Sequence, residues 1–138
     1  MRLRRDAKIE RIANVPLFSR CSKRELAQIG RLADEMELPA GTVAVREGAY
    51  GQEFFVLESG TVEVSKQGKV VATLGPGDFF GEIALLHNAP RTATVTAKTP
   101  VEALVVSHRD FSSLLATSPQ IQSKILQALA ERLAPASI

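Results

Sequence analysis

Phe79-Phe80-Gly81-Glu82-Ile83-Ala84-Leu85-Leu86-His87-Asn88-Ala89-Pro90-Arg91-Thr92-Ala93-Thr94-Val95 places a glycine, a carboxylate, a short apolar turn and a proline-preceded arginine in one compact unit. Gly81 opens a turn of helix whose free N–H groups and positive dipole end suit an anion. Arg91, ten positions on, can return to the same pocket with a forked, charge-assisted pair of hydrogen bonds. Glu82 beside an anion makes sense only if it faces the other way, and a sugar hydroxyl needs such an acceptor. The stretch therefore reads as a holder for a phosphate carried on a sugar.

On both sides of it the apolar residues recur with period two. Val43 and Val45 alternate, as do Val62 and Val64; Val70, Ala72 and Leu74; Ala93, Val95 and Ala97; and Val101, Ala103 and Val105. Phe54 to Leu57 is a continuous apolar run. Turn chemistry separates these segments at Glu47-Gly48, Ser59-Gly60, Gln67-Gly68, Gly75-Pro76-Gly77-Asp78 and Lys98-Thr99-Pro100. Many short antiparallel strands at this spacing predict a jelly roll or barrel-like sandwich, with the Gly81–Arg91 unit as a pocket on it. Helices flank the strands. Lys8 to Ala13 offers Ile9, Ile12 and Ala13 on one side before Pro16 stops it. Ser22-Lys23-Arg24-Glu25 is a capping box ahead of Leu26, Ile29, Leu32 and Ala33. Toward the end, Ser107 caps a helix bearing Phe111, Leu114 and Leu115. Ser118-Pro119 then starts another, with a stripe of Ile121, Ile125, Leu126, Leu129 and Leu133 that Pro135 ends.

These residues carry a resemblance. The Gly81–Ala93 segment resembles the phosphate-binding cassette of cyclic-nucleotide-binding domains, the modules of the catabolite activator protein, cyclic-nucleotide-dependent kinases and cyclic-nucleotide-gated channels. Gly81, Glu82, Ala84, Leu85, Pro90, Arg91 and Ala93 fall on the family pattern in register. The similarity runs from about Pro16 to Arg132. Val15-Pro16-Leu17-Phe18 resembles the family's N-terminal lead-in, and Gly41, Glu47-Gly48 and Phe54 to Gly60 resemble its early strands and hairpin.

The resemblance implies a mainly β fold, a double-stranded β-helix or jelly-roll barrel flanked by N- and C-terminal α-helices. It implies a single domain over residues 1–138: helices in 1–35, the roll with its cassette in 36–107, and C-terminal helices in 108–134. In that setting Arg91 would ligate the phosphate and Glu82 the ribose hydroxyl. Gly81 and the N–H groups of Ile83 and Ala84 would support phosphate and sugar, with Ala84 small enough for close approach and Ala93 completing the set. Thr92 can donate to phosphate or accept from the amine of a syn guanine, so it permits cGMP without choosing it; cAMP is the favoured ligand. The last helix has three readings: a lid over the base through Leu129, Arg132 and Leu133, a homodimer seam, or simple packing on the roll.

Composition bounds the rest. At 138 residues, with 45% hydrophobic and 23% charged residues, the chain fits one globular domain. The net charge of +2 conceals a basic start, Arg2, Arg4, Arg5, Lys8 and Arg11, read as a solvated helix face rather than a nucleic-acid or membrane patch. A single Cys21 excludes an intramolecular disulfide and a multi-cysteine metal site, and fits a reducing cytoplasm. No apolar stretch points to a signal peptide or a membrane span. A metal-binding cupin needs a cluster of histidines, whereas His87 and His108 stand 21 positions apart and read as surface or capping residues. No catalytic set and no cofactor are expected. With only five residues after Leu133, no DNA-binding segment is expected either. The partners expected are the nucleotide and an effector that receives the signal. The competing readings are a ligand-independent interaction domain of the same fold, a sensor of another small molecule such as haem or an organic acid, and a regulatory fragment of a larger enzyme.

Overall fold

In a computed structural model of the chain, residues 5–133 are described, with side chains from 7 to 131. Two helices open it: α1 (Arg5–Ala13) and α2 (Lys23–Gly30), joined through a 3-10 turn at Pro16–Phe18. The capping box at the start of α2 forms in both directions. Ser22 Oγ accepts from Glu25 N at 3.2 Å, and Glu25 Oε1 accepts from Ser22 N at 2.7 Å. Eight strands follow: β1 (Asp34–Leu38), β2 (Val43–Val45), β3 (Glu53–Ser59), β4 (Val62–Lys66), β5 (Lys69–Leu74), β6 (Phe79–Phe80), β7 (Thr94–Ala97) and β8 (Val101–Ser107). A 3-10 turn at Glu82–Leu85 separates β6 from β7, and α3 (His108–Thr117) and α4 (Pro119–Leu133) close the described chain.

All strand pairs are antiparallel, and they make two four-stranded sheets, β1-β8-β3-β6 and β2-β7-β4-β5. The barrel expectation is corrected to this extent: the strands form two separate sheets, not one closed one. The first sheet is the middle of three layers. Along β3, Phe54 and Val56 enter the cluster shared with the helices, while Phe55 and Leu57 enter the cluster shared with the second sheet. Along β8, Leu104 and Val106 face the helices, and Ala103 and Val105 face the second sheet. Both faces of these strands are covered, so residues 54–57 and 103–106 run apolar without a break.

Three expectations need correction. Asp34–Leu38 is a strand although only Leu38 in it is buried, so the roll begins earlier than residue 36. Its strand character comes from pairing with β8, from Asp34 opposite Val105 to Leu38 opposite Val101. The alternation of Val70, Ala72 and Leu74 does form a strand, β5, which lies at a sheet edge with Val70 and Val71 58% and 55% exposed. In α1, Ala13 is exposed while Ile9 and Ile12 are buried. Lys8 and Arg11 are structural rather than solvated: Lys8 Nζ donates to the Ala33 carbonyl at 2.9 Å, and Arg11 pairs with the buried Glu58 at 3.3 Å. Burial holds the Glu58 carboxyl above its ordinary range, a push that Arg11 opposes. The side chains of Arg2, Arg4 and Arg5 lie outside the described residues.

Candidate ligand site

The Phe79-Phe80 dipeptide anchors the cassette in both layers. Phe79 lies 6.2 Å from Phe54 on the helical side, and Phe80 stacks on Phe55 at 4.7 Å on the other. Gly81 then takes a φ of +81° and caps the Glu82–Leu85 turn. A Cβ at Gly81 would stand 2.8 Å from the Glu53 carbonyl and 2.7 Å from Arg91 Nη1, so glycine is required for space as well as for φ. The turn closes with Ala84 N donating to the Gly81 carbonyl at 3.1 Å and His87 N to the Ile83 carbonyl at 2.9 Å. The Ala84 N–H expected at a ligand is thus already engaged within the turn. Leu85 is 1% exposed and fixes the turn in the helical core.

Arg91 returns to this turn by way of the loop before β3. Its N–H donates to the Ala49 carbonyl and its carbonyl accepts from Gly48 N, both at 2.8 Å. Arg91 Nη2 donates to the Glu53 carbonyl at 2.7 Å, and the half-exposed Glu53 carboxylate stands 4.0 Å away. Gly51 lies against the guanidinium so closely that a Cβ there would collide with it. The Arg91 side chain is only 9% exposed. Burial pulls its pKa below the ordinary arginine value, with Glu53 opposing, yet a guanidinium remains cationic at any ordinary pH. A buried cation with one weak counter-charge gains when an anion arrives.

Between this wall and strands β2, β4 and β7 lies a cavity of about 460 Å³, within the usual small-ligand range of ~300–1,000 Å³. Gly81, Glu82, Ile83, Ala84, Arg91, Thr92 and Ala93, the seven positions singled out in the sequence, all line it. Val45, Val64 and Val95 supply its apolar floor, and Lys66 and His87 add polar groups at its margin. One oxygen of Glu82, Oε2, is buried, while Thr92 and Ile83 are exposed.

A buried guanidinium thus faces an apolar floor across the cavity, and residues 35–118 match the family described as Cyclic nucleotide-binding domain. The chain belongs to that family. This cyclic nucleotide-binding domain is 39% identical over 121 residues to the Cyclic nucleotide-gated potassium channel mll3241 of Mesorhizobium japonicum, covering 88% of this chain and 34% of the channel. It is 40% identical over 106 residues to the cAMP-dependent protein kinase regulatory subunit of Yarrowia lipolytica, covering 75% of this chain and 28% of that subunit. Among solved structures, the N-terminal domain of a transcriptional regulator from Streptomyces coelicolor A3(2) superposes with a TM-score of 0.86 at 29% identity, covering 92% and 94% of the two chains. The domain spans about a third of the length of the curated relatives it matches.

The C-terminal residues lie elsewhere. Ile121 and Ile125 are buried in the helical core and Leu129 packs against it; Leu129 does not line the cavity. The side chains of Arg132 and Leu133 lie outside the described residues. No helix among the described residues is long and apolar enough to cross a membrane. Cys21 is half-buried, and burial first, then Glu25, pushes its thiol up to about 11 against the pull of Lys124. It is a poor nucleophile at neutral pH.

Sequence reasoning missed Gly51, Glu53, Lys66 and His108 as parts of this region. The first two lie about 40 positions from Arg91, and only the fold brings them to it. His87, expected at the surface, is exposed, but at the cavity margin. His108, read as a surface or capping residue, is partly buried and bonded to the cassette turn.

Proposed function

We propose that the chain is a regulatory sensor that binds a cyclic nucleotide, cAMP in preference to cGMP, and performs no catalysis. The Arg91 guanidinium carries this reading: it is held at 9% exposure on a cavity wall, with a carbonyl and a distant carboxylate for partners. A cyclic phosphate would supply the missing counter-charge. Glu82 would accept from the ribose hydroxyl, Gly81, Ile83 and Ala84 would give the ligand a close-fitting surface, and Thr92 and Ala93 would complete the wall. The cAMP preference draws support from the kinase regulatory subunit, named cAMP-dependent, to which the domain is similar. Thr92 itself suits either nucleotide.

The receiver of the signal would be an effector domain or protein, as the relatives carry the matching segment within a channel or a kinase subunit. The reading includes a rearrangement of α4 that brings Leu129, Arg132 and Leu133 over the base or into a homodimer seam. Such a rearrangement would have to release α4 from Ile121 and Ile125 in the helical core and from two polar pairs, Lys124–Glu25 at 2.6 Å and Arg20–Glu131. Calorimetric titration of nucleotide-free protein with cAMP and cGMP, beside Arg91→Ala, tests the reading. Micromolar or tighter binding is expected for the wild type, with cAMP ahead. Arg91→Ala should lose about 2–5 kcal/mol, since it removes a charge-assisted pair to an anion. No heat from either nucleotide would leave a ligand-independent interaction domain.

A further inference from the structure

We propose that His108 is a positioning residue of the ligand site, locking the cassette turn to α3 so that turn and helix move as one body. The proposal rests on the cyclic-nucleotide reading for what fills the site, but not for the lock itself. His108 Nδ1 lies 2.7 Å from the Leu85 carbonyl and 3.1 Å from the Ala84 carbonyl. Carbonyls only accept, so Nδ1 carries the ring proton. Nε2 is then the acceptor in the neutral ring, and the Ser112 hydroxyl, one turn along α3, donates to it at 3.2 Å. The His108 backbone N–H donates to the Gln52 carbonyl at 2.7 Å, between the Gly51 and Glu53 that hold Arg91.

The first residue of α3 therefore grips both halves of the phosphate wall. A four-residue 3-10 turn is a weak element by itself, and its last carbonyls have no partners within it. His108 supplies one from a helix, and Leu85 adds an apolar anchor in the same core as Phe111 of α3. A displacement of the turn by a ligand against Glu82 or Ala84 must either break these bonds or carry α3 along. Satisfying two orphan carbonyls would by itself require only a donor; joining the turn to α3 predicts that occupancy is felt along the helix.

The test compares His108→Asn, whose amide nitrogen can replace Nδ1, with His108→Leu, which keeps bulk without a donor, and His108→Gln, whose amide reaches toward the Nε2 position instead. Without nucleotide, hydrogen exchange at the Leu86 and His87 amides should quicken about tenfold in His108→Leu, the loss of one net hydrogen bond, and within about threefold of wild type in His108→Asn. With saturating cAMP, exchange across residues 108–117 should change in the wild type and in His108→Asn, and not in His108→Leu. If His108→Leu does not fold, His108→Gln takes its place with the same expectation. Unchanged exchange at the turn in the donor-less variant overturns the lock, as does an α3 response equal to wild type. Should no protein bind nucleotide while the turn still loosens, the lock stands and the ligand reading falls.

Discussion

The two apolar clusters on either side of the β1-β8-β3-β6 sheet are built in different ways. Toward the helices runs a chain of aromatic rings, Phe111 to Phe18 at 5.8 Å, Phe18 to Phe54 at 6.0 Å and Phe54 to Phe79 at 6.2 Å. Toward the second sheet the cluster is mostly valine, leucine and alanine, with one stacked pair, Phe55 on Phe80. The helical side is thus an aliphatic core threaded by a chain of rings, while the strand side has short side chains around a cavity. The lesson is a division of labour. The ring chain carries stability and ends at the cassette, and the valine-lined side leaves the room that a ligand needs.

The sharpest way to break this comparison is to truncate one ring. Phe111 is fully buried. Its replacement by alanine should cost about 3–5 kcal/mol, read as a lowered denaturation midpoint. Arg91→Ala should do the reverse, leaving the midpoint nearly unchanged while removing most of the affinity. If both substitutions moved stability and affinity together, the two sides would not be separable.

A second comparison sets Gly81 against Gly68, both at a φ of +81°. Gly68 has nothing within 4 Å of a Cβ, whereas at Gly81 the Glu53 carbonyl and the Arg91 guanidinium are in the way. Gly68→Ala should cost only the backbone strain, about 1 kcal/mol, and Gly81→Ala about 2–3 kcal/mol together with a loss of nucleotide affinity. Thermal melts and titrations of the two variants check this. Equal costs would mean that the cassette yields easily around Arg91.

A small effect is also expected at the tether of α4. Glu25 is buried and its carboxyl is held below the ordinary range, first by the Lys124 hydrogen bond and then by the Ser22 backbone. Because the folded value is depressed, the stabilisation is present above the unfolded value near ~4.3 and is lost as pH falls through the folded value below it. Lys124→Ala should cost about 1–2 kcal/mol at neutral pH, and the gap to wild type should narrow below about pH 4. A gap independent of pH would assign the effect to the aliphatic stem of Lys124 instead.

How much of this was legible depended on distance along the chain. The capping box of Ser22 and Glu25 was readable because both hydrogen bonds close within one turn. The second partner of the same carboxylate, Lys124, lies 99 positions away and left no local trace. The seven cassette positions were readable because Gly81, Glu82 and Arg91 lie within one short unit and each carries its chemistry with it. Asp34–Leu38 was not readable as a strand. Its apolar alternation is only Met36 and Leu38, too short to mark a strand, and pairing with β8 makes it extended. The alternation of Val70, Ala72 and Leu74 was readable as a strand, because period two is local, but how little of that strand is buried was not, because burial needs a second surface.

The sequence by itself determined the elements and the chemistry, since capping, turn type, strand period and the pairing of a carboxylate with an arginine are all local properties of the chain. The tertiary structure decided which face of β3 and β8 meets the helices, where Arg91 finds Gly51 and Glu53, and that His108 reaches across to the cassette. Those are contacts between segments 20 to 100 residues apart. A local pattern says that a group is available, but only the folded chain says what stands opposite it.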